Sequence, residues 1–290
     1  MNKTDPFSQV RERIADGARL AVLTGAGISA ASGIPTFRGT PDGLWSRYRP
    51  EELATPEAFA ADPHLVWRWY DWRRGLISAA QPNAAHQALA ALERQVPMTL
   101  ITQNVDGFHQ RAGSTRVLEY HGSIWRVRCT RCGRETLDER VPIPILPECG
   151  KCGGLLRPGV VWFGEGIDPS AMRDSERAAA ESELFLVIGT AGVVYPAAGL
   201  VGVARAGGAL IVELNLEPSG ISHQVDTFVP GCASETLPRL LGTAIGPPGI
   251  AASSVGARRE KESMRLELRS LVGSSKKACR NNASSSQRRR

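Results

Sequence analysis

Short, continuously apolar runs recur along the chain, each bounded by polar or turn residues: Arg19–Thr24, Met98–Asn104, Arg116–Gly122, Gly159–Gly164, Leu184–Thr190 and Ala209–Asn215. Their apolar positions do not alternate with polar ones. That is the pattern of parallel strands buried on both faces, not of strands with one wet face. Helical patterns lie between them. DPHLVWRWYDWRRGLISAA opens with Asp62 as N-cap and Pro63 at the first helical position, where a missing N–H costs nothing. PNAAHQALAALERQ has Asn83 as its cap, and Asp168–Glu183 and Pro196–Arg205 complete the set. Strands alternating with helices predict an α/β fold built on a doubly wound parallel sheet.

One interval breaks the alternation. From about Ser123 to Pro158 there is no helical pattern, and four of the six cysteines stand there as Cys129-x-x-Cys132 and Cys149-x-x-Cys152, 16 residues apart. Two thiolates three apart in a tight turn grip one tetrahedral metal ion, and two such turns complete a four-sulfur site. The spacing predicts one structural zinc ion, since four protein ligands leave no position for water. Two disulfides are the competing reading, disfavoured in a chain without a secretory signal. Cys232 and Cys279 stand alone and read as a buried small residue and a tail thiol.

The charge of the chain is unevenly distributed. The 290 residues are 42% hydrophobic with a net charge of +6. Of the 35 Lys and Arg, 11 lie in Ala251–Arg290 beside 3 of the 29 acidic residues, which leaves 24 basic and 26 acidic residues in the rest. The basic character therefore belongs to the tail, and a basic nucleic-acid-binding body is not supported. GPPGIAASSVGA reads as a linker, and the segment after it as a basic low-complexity extension, expected to be disordered. Any contact with nucleic acid is expected through that tail alone. The polar start, MNKTDPFSQVRERIADG, is no secretory signal, and no apolar run approaches the roughly 20 residues of a membrane span. The expected location is the cytoplasm, with no membrane partner.

Chemistry concentrates at strand ends. LAVLTGAGISAASGIPTFRG joins a buried strand to a glycine-rich turn and a short helix. Gly25 and Gly27 would let backbone approach a phosphate, with helix N–H groups facing the anion. The spacing is not GxGxxG, and no second strand follows to deliver an acidic ribose ligand, so a plain dehydrogenase fits poorly. Gln103, Asn104 and Asp106 in TQNVDGFHQRAG fall where an open parallel sheet places ligands. His121 ends the next strand; by position alone it reads as structural more often than as a base. Tyr70 and Arg73 share one helix face, and spacing alone makes them a packing ring and a solvated charge.

Taken together, GAGISAASGIP, TQNVDGFHQRAG, YHGS, the paired CxxC elements, VVWFGE and NLEP, in this order, resemble the sirtuin family of NAD-dependent protein deacylases. The likeness runs from about Val10 to Leu241, and the tail has no counterpart in it. It implies a Rossmann-like sheet with a smaller inserted zinc-binding domain. The expected divisions are a catalytic domain over 1–245, a zinc ribbon at about 123–158, a helical cofactor-loop insertion at about 34–80, and the tail over 246–290.

By position, the resemblance assigns Gly25, Ala26 and Gly27 to the pyrophosphate and nicotinamide region of NAD, and Phe37 and Arg38 to the cofactor loop. Gln103, Asn104 and Asp106 would serve the nicotinamide ribose and amide. Gly189, Thr190, Asn215, Glu217 and Cys232 would hold the adenosine end, and His121 would be the general base. Val160, Val161, Phe163, Gly164 and Glu165 would pair in β fashion with an acyl-lysine peptide. Two positions depart from the common family pattern: Ala191 stands where a serine is frequent, and Thr36 where an aspartate is.

WRWYDWRRGLI, with ATPEAFA before it, resembles the class III branch, in which a Tyr and an Arg face the end of the acyl channel. That implies removal of succinyl and malonyl groups and, more weakly, acetyl groups, releasing nicotinamide and 2'-O-acyl-ADP-ribose. A protein ADP-ribosyltransferase and a zinc-ribbon nucleic-acid-binding protein are the alternatives.

Overall fold

The structure is a computed structural model that describes residues 5–35 and 53–242. Thr36, Phe37, Arg38, Cys279 and the whole tail expected from Gly246 lie outside the described residues.

Six strands form one parallel sheet: β1 (Leu20–Thr24), β2 (Met98–Thr102), β3 (Val117–Glu119), β7 (Leu184–Ile188), β8 (Leu210–Asn215) and β9 (Thr227–Pro230), in the order β3-β2-β1-β7-β8-β9. The order reverses between β1 and β7. A doubly wound sheet opens a crevice at such a switch point, outside the carboxyl ends of its strands.

The apolar runs are buried on both faces, as expected. Leu20 and Val22 pack with Leu100, Leu186 and Val212 on one side, while Ala21 and Leu23 pack with Ile101, Phe185 and Ile211 on the other. The first layer is closed by α1 (Pro6–Ala15), α4 (Ala84–Glu93) and α8 (Ala233–Leu241). The second is closed by α6 (Pro169–Glu181) and α7 (Leu200–Ala206). A single turn of helix, α5 (Phe108–Arg111), follows β2. The flanking α1, α8 and β9 carry no clear sequence signal. α1 and β9 are short and carry few apolar positions, while α8 has its apolar face in Ala233, Leu237, Leu240 and Leu241 but holds Pro238 inside the helix, a residue that marks a break in a sequence pattern.

A second sheet, β5-β4-β6, is antiparallel and made of β4 (Gly122–Cys129), β5 (Glu135–Leu137) and β6 (Leu156–Val160). It corrects the expected strand Gly159–Gly164, which the apolar pattern places in the parallel sheet. The real strand begins at Leu156, ends at Val160, and pairs with β4. A short apolar run cannot reveal its partner, because periodicity is local and pairing is not.

The small sheet packs on α2 (Pro56–Ala61) and α3 (Pro63–Ala79). Asp62 caps α3 by accepting from the Leu65 N–H at 2.9 Å, a contact that contributes about 1 kcal/mol. The Trp67 indole donates to Leu156 O at 2.9 Å, the Ile143 N–H to Asp71 at 2.8 Å, and the buried Arg74 to Ile124 O at 2.9 Å. Three polar contacts therefore lock one helix to the cysteine-bearing lobe. No helix among the described residues is long and apolar enough to cross a membrane.

Candidate active site and metal centre

The four cysteines at the end of the small sheet converge. Their sulfurs all lie within 4.8 Å of one another, with Cys129 and Cys152 at 3.5 Å and Cys132 and Cys149 at 3.8 Å. Four sulfurs about 2.3 Å from a central zinc sit about 3.8 Å apart, so the cluster fits one tetrahedral ion. All four cysteines are free, and these separations far exceed the about 2.05 Å of a disulfide. The N–H groups of Cys132 and Arg131 donate to the Cys129 sulfur at 3.4 Å. These backbone donors, that of Cys132 first, draw its thiol down to about 6, toward the thiolate that binds metal.

At the switch point, the ends of β1, β2, β7 and β8 bring most of the expected cofactor residues together. The Gln103 amide donates to the Thr190 hydroxyl at 3.0 Å, and the Asn215 amide to Thr190 O at 2.8 Å. The Asn104 amide donates to Gly25 O at 3.1 Å. Amides and hydroxyls at strand ends are the donor set a nucleotide's sugar and phosphate groups need, so the residues present fit NAD. Cys232 is the N-cap of α8; its sulfur takes none of the helix N–H groups but lies 3.2 Å from the Ser234 hydroxyl, and the Gly231 N–H beside it donates to Asn215 O at 2.9 Å. Glu217 is exposed just beyond β8.

The glycine turn opens into a short helix as expected, but its first N–H groups are already bonded. Residues Ala26–Ser32 form a 3-10 helix. The Gly27 N–H donates to Gly189 O at 2.7 Å and the Ile28 N–H to Gly25 O at 3.1 Å, so two groups expected to face an anion are used within the chain. A Cβ on Gly27 would lie 2.7 Å from the Gly189 Cα, and one on Gly189 would lie 2.5 Å from Ile28 N. The glycines are demanded by two backbone segments crossing at the switch point, and Gly189 is also left-handed at φ +60.

His121 lies between the two sheets, half-buried, two residues past β3. Its Nδ1 is 3.1 Å from Gln103 O. A carbonyl only accepts, so Nδ1 carries the proton and Nε2 holds the free lone pair. Burial holds the imidazole below its ordinary pKa, partly offset by that hydrogen bond.

Asp106 is buried. Its carboxylate accepts from the Ser29 hydroxyl at 2.8 Å and the Phe108 N–H at 2.9 Å, while burial raises its pKa. Sequence reasoning missed the groups around it. Ser29 also lies 3.4 Å from His86 Nε2, and His109 Nε2 lies 3.0 Å from the Thr24 hydroxyl. The one available signal was that His86 stands three residues after the Asn83 cap. It completes a capping box in which its Nδ1 accepts from the Asn83 N–H at 3.2 Å.

Tyr70 and Arg73 lie on one face of α3. Tyr70 is buried, and the Arg73 guanidinium lies 4.9 Å from the Trp69 ring centroid and 5.7 Å from that of Tyr70. Arg73 is therefore not the solvated charge that its spacing alone suggests: burial lowers its pKa, opposed by the neighbouring Tyr70 phenol and Asp106 carboxyl. Of the segment expected to pair with peptide, Val160 ends β6, and the Val161 N–H donates to His121 O at 2.9 Å. Phe163 is 48% exposed and its N–H donates to Ala54 O at 3.0 Å. Gly164 is left-handed, and the Glu165 N–H closes a turn on Trp162 O at 3.0 Å. The Glu165 carboxylate is committed to the Arg157 guanidinium, which also donates to Val160 O at 2.9 Å.

The parallel sheet, its switch-point crevice and the thiolate lobe beside it place the protein among the α/β nucleotide-binding enzymes. The Sir2 family profile matches residues 25–196. A "NAD-dependent protein deacylase 2" of Pyrobaculum aerophilum is 55% identical over 233 residues, covering 80% of this chain and 93% of that protein. A solved Sir2 homolog–NAD complex superposes with a TM-score of 0.77 at 49% identity, covering 82% of this chain and 93% of the other. A Sir2–p53 peptide–NAD+ complex does so with 0.72 at 31% identity, covering 83% and 98%. The chain belongs to the Sir2 family.

Proposed function

We propose that this protein is an NAD-dependent protein-lysine deacylase whose preferred acyl groups end in a carboxylate, with acetyl-lysine a weaker substrate. The deacylase reading is supported by relatives of that name at about half identity over most of the chain. The acyl preference rests on one observation: Tyr70 and Arg73 are paired on α3 below the segment that follows β6.

NAD, when bound, supplies a sugar carbon carrying a cationic leaving group. The protein's part is placement and proton transfer. Gly25, Ala26, Gly27, Gln103, Asn104, Gly189, Thr190, Asn215, Glu217 and Cys232 are the residues assigned to hold it, with Asp106 toward the nicotinamide amide. His121 accepts a proton at Nε2 from a ribose hydroxyl. Val160, Val161, Phe163, Gly164 and Glu165 are assigned to the peptide. The closed four-thiolate shell gives zinc a structural role, which is to hold the lobe that carries β6 against α3.

An acetyl methyl offers a guanidinium nothing, whereas a succinyl or malonyl carboxylate meets it in a planar two-pronged pair. Such a contact in a partly desolvated channel contributes about 2–4 kcal/mol, or about 30- to 1,000-fold in relative kcat/KM. The test is turnover of acetyl-, malonyl- and succinyl-lysine peptides with NAD, with products identified by mass. Arg73→Met is expected to lower the succinyl-to-acetyl ratio by about that factor, and Tyr70→Phe, which removes a single hydrogen bond, by about tenfold. Equal losses on both substrates would remove the acyl assignment and leave a deacylase. Transfer of label from NAD to protein, with no acyl-ADP-ribose released, would instead point to an ADP-ribosyltransferase.

A further inference from the structure

Trp162 is the first large side chain after Val160, and neither the cofactor nor the peptide assignment uses it. It is 3% exposed and held from several sides. Its N–H donates to Glu165 at 2.9 Å, the Arg157 guanidinium lies 3.4 Å from its ring centroid, and the Phe59 ring packs against it at 5.3 Å. A side chain constrained in this way has one orientation. In that orientation the indole Nε1–H points at the Tyr70 hydroxyl, 2.9 Å away, and both groups are buried.

Indole nitrogen donates and never accepts. The direction of this hydrogen bond is therefore not open to choice, as it would be between two hydroxyls. The phenol oxygen is the acceptor, and its own proton must point elsewhere. Among the described residues no acceptor meets that proton. Burial pushes the phenol above its ordinary pKa, so the proton stays on the oxygen. The Arg73 guanidinium, 5.7 Å from the same ring, is a second donor with no accepting capacity. A group that meets the Tyr70 proton has to be an acceptor.

We propose that Trp162 is a positioning residue for acyl selection: by donating to the Tyr70 oxygen it makes the Tyr70 hydroxyl an obligate donor toward the acyl terminus. This rests on the reading of the enzyme as selective for carboxylate-terminated acyl groups. Arg157 and Glu165 extend the effect one step further. Their mutual pair fixes the guanidinium against the indole face and takes the Trp162 main-chain N–H.

The test is a double-mutant cycle on Trp162 and Tyr70, read as the ratio of desuccinylation to deacetylation kcat/KM on one peptide. Trp162→Phe keeps an aromatic ring and removes the donor. The ratio is expected to fall about tenfold, carried by KM of the succinyl peptide. Tyr70→Phe added to it should lower the ratio less than twofold further, because a hydroxyl without its orienting donor has lost its selectivity. If Trp162→Phe loses the fold in thermal melts, benzothienylalanine at the same position replaces the N–H by sulfur at nearly unchanged shape and carries the same expectation. A wild-type ratio in either replacement, with Tyr70→Phe alone still lowering it, overturns the positioning role and leaves the acyl reading standing. A wild-type enzyme with no succinyl preference, or a ratio insensitive to Tyr70→Phe, overturns the acyl reading and this proposal together.

Discussion

At the scale of single residues, burial sets the pH behaviour. His121 is held below its ordinary value mainly by desolvation. A base with a lowered pKa keeps its lone pair to lower pH, so the acid limb of kcat is expected below about pH 6.5, with activity falling as pH drops through the lowered value. His121→Ala or His121→Tyr should abolish deacylation while zinc content and thermal melting stay near wild type; near-normal turnover would remove it from the mechanism. His86 is fully buried and desolvation lowers it to about 4. The unfolded chain binds this proton near pH 6.5, so stability is whole above that pH and is lost as pH falls toward 4. The loss amounts to about 3 kcal/mol at about 1.4 kcal/mol per unit. Urea unfolding at stepped pH should show this slope, and His86→Asn should reduce it by about that amount, leaving the part that the buried His109 and His121, also held below their ordinary values, contribute. A wild-type stability flat from pH 7 to 4.5 would mean the imidazole is solvated.

At the scale of elements, the end of the zinc lobe that carries the cysteines has little apolar packing of its own. β5 is exposed along its length, and of the loop from Asp138 to Glu148 only Ile143 and Leu146 join the apolar cluster. Cys129 and Cys149 are themselves part of the apolar cluster that α3 packs against. Any one of Cys129→Ser, Cys132→Ser, Cys149→Ser or Cys152→Ser should therefore lower thermal stability and cost activity, because β6 and Trp162 lose their support. Freshly purified protein should contain one zinc per chain by elemental analysis, and a metal-free, stable and active preparation would refute this. The same scale explains the β4–β6 contact. A Cβ on Gly122 would lie 2.4 Å from Gly159 O, so the residue after His121 must be glycine for the two strands to meet.

At the scale of the molecule, the residues assigned to cofactor, peptide and zinc all precede Gly246. Deleting Ala251–Arg290 is expected to leave turnover on short peptides within about twofold; a large loss in a folded truncation would show that the tail completes the site. Much of the architecture was legible in the sequence alone. The apolar runs of β1, β7 and β8, the Asp62 and Asn83 caps, and the paired cysteines are local signals, and local chemistry is what a sequence displays. The family motifs also carried the expected cofactor residues to the strand ends where Gln103, Thr190 and Asn215 now meet. Only the tertiary structure decided which sheet β6 joins, because strand pairing is a contact between distant segments. It also decided that Gly27 and Gly189 are glycines for each other's sake, and that Ser29, His86 and Asp106 form one buried group. The Trp162–Tyr70 bond belongs to the same kind: 92 positions separate its donor from its acceptor, and the direction of a hydrogen bond appears only when the fold brings the two together.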